Sequence, residues 1–113
     1  MNNREIAVKA VEVLKEKKGK DVVVIDVSDK SSFADYLLIV SGGSERQIGS
    51  LATEVGDRLA IEGIFPKNVE GKRGSGWILV DYGDVIINIF SIEQRSRYNL
   101  EKIWSDGTFL DIE

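Results

Sequence analysis

The stretch WILVDYGDVIINIF, Trp77 to Phe90, holds two apolar runs with only Asp81, Tyr82, Gly83 and Asp84 between them. Runs this close are expected to form a hairpin. Two further apolar, β-branched runs precede it, DVVVIDV at 21–27 and DYLLIVSG at 35–42. None alternates cleanly between apolar and polar, so the centre of their sheet must be covered on both faces. That requirement selects layers of helix and sheet.

Helical spacing supplies the layers. Ile6, Ala7, Ala10, Val11, Val13 and Leu14 make an apolar stripe over 3–18, with Asn2 and Glu5 as a capping box and Gly19 as a stop. Ile48, Leu51, Ala52, Val55 and Leu59 do the same between Ser44 and Gly63, where Ser44 and Gln47 fit a second capping box. Gly49, Ala52, Gly56 and Ala60 form a small-residue row beside that stripe. Glycines inside a helix cost stability, so the row predicts close packing against a sheet. IEQRSRYNLEKIW, 92–104, reads as a final helix with Leu100, Ile103 and Trp104 turned inward and with Glu93–Arg97 and Arg97–Glu101 as i,i+4 pairs. PKNVEG is expected to hold a short strand, and residues 105–113 to form a loose tail. The expected order is α-β-β-α-β-β-β-α: one α/β (α+β) domain, 1–113, with a mixed sheet of about five strands flanked by helices.

The chemistry open to this chain is narrow. It has no cysteine and no histidine, which removes thiol nucleophiles, cysteine metal clusters and the commonest general base. Its net charge of −4 argues against a broad grip on nucleic acid and suits a basic partner. With no signal-peptide pattern and no long apolar run, a cytoplasmic protein without a membrane span is expected.

Asp81 and Asp84 raise the question of a catalytic or metal-binding pair. Convergence on one face of a strand asks for i,i+2 spacing, and these are i,i+3, as are Asp26 and Asp29. If Tyr82 and Gly83 form the turn, the two carboxylates oppose each other; if Gly83 and Asp84 form a type II′ turn, they separate. The sequence does not decide between these, but the second is preferred, because nothing else suggests a metal. SGGS, 41–44, stands where a phosphate-cradling turn would, yet it lacks both GxxxxGK and GxGxxG and fits a tight turn with a helix cap. Lys72 and Arg73 in GKRGSG offer two charges that RNA would attract, which is weak evidence beside a plain flexible loop. The strongest remaining signal is aromatic. Trp77, Tyr82 and Tyr98, near arginines and acids, are residue types that dominate protein interfaces; Trp77 fits core and interface equally, and Tyr82, at a turn, favours interface.

Several blocks in order carry a resemblance: DVVVIDV, KSSFADYLLIVSGGS with RQI, VEG, WILVDYGDVIINIF and EQRSRYNLEKIW. Together they resemble the Iojap family, the ribosomal silencing factors. The resemblance implies a nucleotidyltransferase-like core without its catalytic carboxylates. It implies a non-enzymatic translational repressor without cofactor or metal, which acts when nutrients are short. Its expected partner is the large ribosomal subunit, held at large-subunit ribosomal protein number fourteen so that the small subunit cannot join. On the matching positions, Glu70, Trp77, Tyr82 and Asp84, with Tyr98 and Glu101, are the expected contacts. Contacts to ribosomal RNA and a homodimer of the free protein stay open. Two positions depart from the pattern: Asn88 stands where the family commonly has histidine, and GGS where it commonly has GTS. The alternative to this reading is a small nucleotide-binding or nucleotidyl-transferring enzyme, motivated by GGS and the scattered aspartates.

Overall fold

The computed structural model describes residues 1–71 and 74–112, so Lys72 and Arg73 lie outside the described residues. In chain order the elements are α1 (Asn3–Glu16), β1 (Lys20–Asp26), β2 (Tyr36–Gly42), α2 (Glu45–Ile61), β3 (Asn68–Glu70), β4 (Trp77–Asp81), β5 (Val85–Ser91), α3 (Ile92–Tyr98), α4 (Leu100–Ile103) and β6 (Thr108–Leu110). One mixed sheet has the order β3-β4-β5-β2-β1-β6. Its centre is the parallel pair β2–β5, in register from Tyr36↔Val85 to Gly42↔Ser91, and its other pairs are antiparallel.

Alternation along the central strands sends side chains to two separate cores. On one face Val24, Leu38, Val40, Val80, Val85, Ile87 and Ile89 pack under α1 and α2, which contribute Ala10, Leu14, Ile48, Leu51, Val55 and Leu59. On the other, Ile25, Val27, Leu37, Ile39 and Phe90 meet Trp77, Leu100 and Trp104. The helix starts follow the sequence reading. Asn2 and Glu5 close their capping box, and the Ser44 side chain accepts from the Gln47 N–H. The Gln47 side chain reaches one residue further back than a capping box requires and accepts from the Gly43 N–H at 2.6 Å.

The hairpin adopts the separated register. The Tyr82 N–H donates to the Val85 carbonyl at 2.9 Å, leaving Gly83 and Asp84 as the two-residue loop. Gly83 takes φ 93°, as the first central position of a type II′ turn requires.

Four expectations are corrected. The expected loose tail, 105–113, is not simply loose over its described part, 105–112, because β6 pairs with Val24–Asp26 of β1 and makes a sixth strand. Gly107 permits this approach, since a Cβ there would lie 2.6 Å from Ile25 Cγ2, and Leu110 and Ile112 then pack against the α1/α2 core. The final helix is broken at Asn99, whose left-handed backbone (φ 45°, ψ 56°) separates α3 from α4. This turn brings Leu100 and Trp104 inward but leaves Ile103 65% exposed. Gly49 and Gly56 are not explained by close packing, because a Cβ on either would meet open space. Tyr82 does not stand out at the hairpin tip. It continues the Ile78–Val80 alternation and turns into the α1/α2 core, 8% exposed.

The Tyr82 hydroxyl is buried without a hydrogen-bond partner among the described residues, and burial raises its pKa above the ordinary 10.0. Tyr82→Phe removes an unsatisfied donor and is expected to stabilise the fold by about 1 kcal/mol in urea unfolding. The unfolded chain ionises near pH 10.0 while the folded one resists, so the wild type loses stability as pH rises through that range. The variant is expected to lose less there.

Candidate partner-binding site

The second face of the sheet is only partly covered. There, Glu70, Gly71, Ser75, Trp77, Leu79 and Tyr98 line a groove of about 240 Å³. Sheet register assembles it: Glu70 of β3 lies opposite Leu79 of β4, and Trp77, two residues before Leu79, points the same way. Tyr98, at the end of α3, closes the other wall and is 45% exposed.

The half-buried Trp77 ring is held on three sides. It stacks on Phe90 with centroids 5.1 Å apart and leans on Tyr98 at 4.7 Å. Its Nε1–H donates to Asn88 Oδ1 at 3.0 Å. Gly76 brings the start of β4 against α3, because a Cβ there would lie 2.8 Å from Gln94 Cγ and 2.9 Å from Ser91 Oγ. That same Ser91 caps α3 by accepting from the Gln94 N–H at 3.1 Å.

Arg95 secures α3 from below. Its Nε and Nη2 donate to the Glu101 carboxylate at 3.0 and 3.3 Å, and its Nη1 donates to Ser41 Oγ at 3.0 Å and to the Lys20 carbonyl at 3.2 Å. The Arg95 side chain is 12% exposed. The pairing is i,i+6 across the break at Asn99, where the sequence predicts Arg97–Glu101.

Of the six expected contacts, the structure brings together Glu70, Trp77 and Tyr98. Tyr82 is buried, and Glu101 is engaged by Arg95. Asp84 is exposed at the hairpin tip, about 20 Å along the strands from Trp77 at roughly 3.3 Å per residue, since Trp77 is level with Phe90. Sequence reasoning missed Leu79, although its i+2 spacing from Trp77 was a usable signal. It also missed Arg95, whose partners lie on β1, β2 and α4, and no local spacing announces them.

The aspartates have local structural work. Asp26 accepts from the Ser28 hydroxyl at 2.6 Å and from the Ser28 N–H at 3.0 Å, which holds its carboxyl below the ordinary 3.8. Asp81 accepts from the Gly83 N–H at 2.7 Å. Asp35 and Asp84 each accept from the Asn3 amide at 3.2 Å. Among the described residues no three metal-ligating side chains converge, and no helix is long and apolar enough to cross a membrane.

The structure is thus an α/β domain in which Asp26, Asp35, Asp81 and Asp84 are engaged in hydrogen bonds and an aromatic groove lies beside an exposed acid. Its particular family follows from comparison. The model of the family described as ribosomal silencing factor during starvation matches residues 1–113, and the chain belongs to that family. A relative from Bacillus subtilis, "Ribosomal silencing factor RsfS", is 37% identical over 113 residues, covering 100% of this chain and 96% of the relative. The mouse "Mitochondrial assembly of ribosomal large subunit protein 1" is 30% identical over 104 residues, covering 89% of this chain and 46% of that protein. A crystal structure from Chromobacterium violaceum superimposes with a TM-score of 0.89 at 33% identity, covering 93% of this chain and 88% of that one. Family membership implies ribosome-associated regulation of translation.

Removing Arg95 strands a half-buried carboxylate and a carbonyl. Arg95→Ala is expected to cost about 1.5–3 kcal/mol in urea unfolding. Arg97→Ala, on the exposed side of the same helix, is expected to cost under about 0.5 kcal/mol.

Proposed function

We propose that this protein silences translation by occupying the large ribosomal subunit at large-subunit ribosomal protein number fourteen, so that the small subunit cannot join. The mechanism is steric and makes or breaks no covalent bond. The observation that carries it is the groove in which Trp77, Leu79 and Tyr98 present apolar surface beside the Glu70 carboxylate. Aromatic anchors with a charged neighbour are typical of energetic centres in protein interfaces. A net charge of −4 favours encounter with a basic ribosomal protein and steers it at low salt. The name of the mouse relative also points toward the large subunit.

In this reading Trp77 and Tyr98 supply the apolar contact and Glu70 an ionic one. Asp84 lies too far along the hairpin to share that groove and serves at most a separate edge of the interface. Tyr82 and Glu101 act from inside the fold. Self-association of the free protein through the same aromatics would compete with subunit binding.

Sedimentation with separated subunits tests the proposal. The protein is expected to travel with large subunits, and free protein remaining at the top of the gradient would refute it. Trp77→Ala is expected to weaken binding by about 2 kcal/mol, roughly thirtyfold. Glu70→Lys, on an exposed strand, is expected to slow association at low salt and leave the thermal transition in place.

A further inference from the structure

Asn88 is 1% exposed in the middle of β5, between Ile39 and Leu79 on the neighbouring strands. An indole N–H only donates, so the amide must turn Oδ1 toward Trp77. Its Nδ2 is then left buried with no hydrogen-bond partner among the described residues. A buried amide with an unspent donor is expensive, and an apolar residue of the same size avoids the expense. The one bond that the side chain makes among the described residues is to the aromatic wall of the groove.

We propose that Asn88 is the positioning residue for Trp77: it holds the indole in the one of its two flipped orientations that forms the groove, and it does so against the stability of the domain. Stacking on Phe90 and Tyr98 restrains the ring's plane but not the half-turn about Cβ–Cγ, which keeps that plane and carries Nε1 to the opposite side. The Nε1–H···Oδ1 bond removes that freedom, so the indole is already oriented before a partner arrives. This rests on the groove being the contact face, and it adds a residue that touches no partner.

The inference requires binding and stability to move in opposite directions in Asn88→Leu. The variant is expected to keep or raise the thermal midpoint and to weaken large-subunit binding about tenfold. In a Trp104→Phe background, the single remaining indole N–H resonance reports the bond directly. It is expected to exchange slowly with solvent and to lose that protection in Asn88→Leu. The effect on binding must pass through the indole nitrogen. In a Trp77→Phe background, which keeps the ring and lacks the N–H, Asn88→Leu is expected to have no further effect.

Asn88→His, tested at pH 8, places a neutral ring nitrogen close to the position of Oδ1 and is expected to restore binding. It also serves if the leucine variant does not fold. Wild-type binding in Asn88→Leu, an equal loss in the Trp77→Phe background, or a folded Asn88→His that fails to bind would each overturn the proposal while the groove reading stands. Wild-type binding by Trp77→Ala would overturn both.

Discussion

The parallel pairing of β2 with β5 is the constraint on which the rest depends. Seven consecutive residues of each strand are matched, Tyr36–Gly42 against Val85–Ser91. The Asp84 carbonyl starts the pairing by accepting from the N–H groups of both Asp35 and Tyr36, at 2.8 and 2.9 Å. Parallel strands leave the sheet at the same end, so α2 begins beside Gly42 and α3 beside Ser91. Only this geometry lets Arg95, in the second turn of α3, donate to Ser41 and to the Lys20 carbonyl. The crevice at the carboxyl ends of parallel strands is where related folds hold small ligands. Here Arg95 and Glu101 meet in it. The Gly43 N–H, which a phosphate-binding turn would offer outward, is taken by Gln47.

Unequal coverage of the sheet produces the groove. Helices of 14 and 17 residues cover one face, while segments of 7 and 4 residues cover part of the other. The uncovered part falls over β3 and β4, where Leu79 and Trp77 are both half-buried. Site and fold are therefore linked through helix length. A longer α3 without the break at Asn99 would not return Glu101 to Arg95.

Much of this was legible in the sequence where the signal is local. Helix caps, the apolar stripes of α1 and α2 and the apolar runs of the four longer strands are each written within a few consecutive residues. The sequence leaves the turn register open between two loops, and Gly83, at the position that needs positive φ, takes the preferred one. Legibility failed where contacts are distant. Nothing in Thr108–Leu110 marks it as a strand except the vacant edge of β1 that it fills. Tyr82 suggested an exposed turn aromatic, but strand alternation through Ile78 and Val80 governs it and points inward. The groove itself is half visible in the sequence: residue type singles out Glu70, Trp77 and Tyr98, while the role of Asn88 as the indole's acceptor depends on the β4–β5 register.

The two outer strands of the sheet, β3 and β6, are three residues long each. A bare strand edge binds almost any extended chain, because every backbone offers the same donors and acceptors. Margins this brief offer too few rungs to hold one. The protein thus confines its adhesiveness to side chains, where shape and charge can discriminate. The backbone, which would accept any extended neighbour alike, is offered over only three residues at each margin.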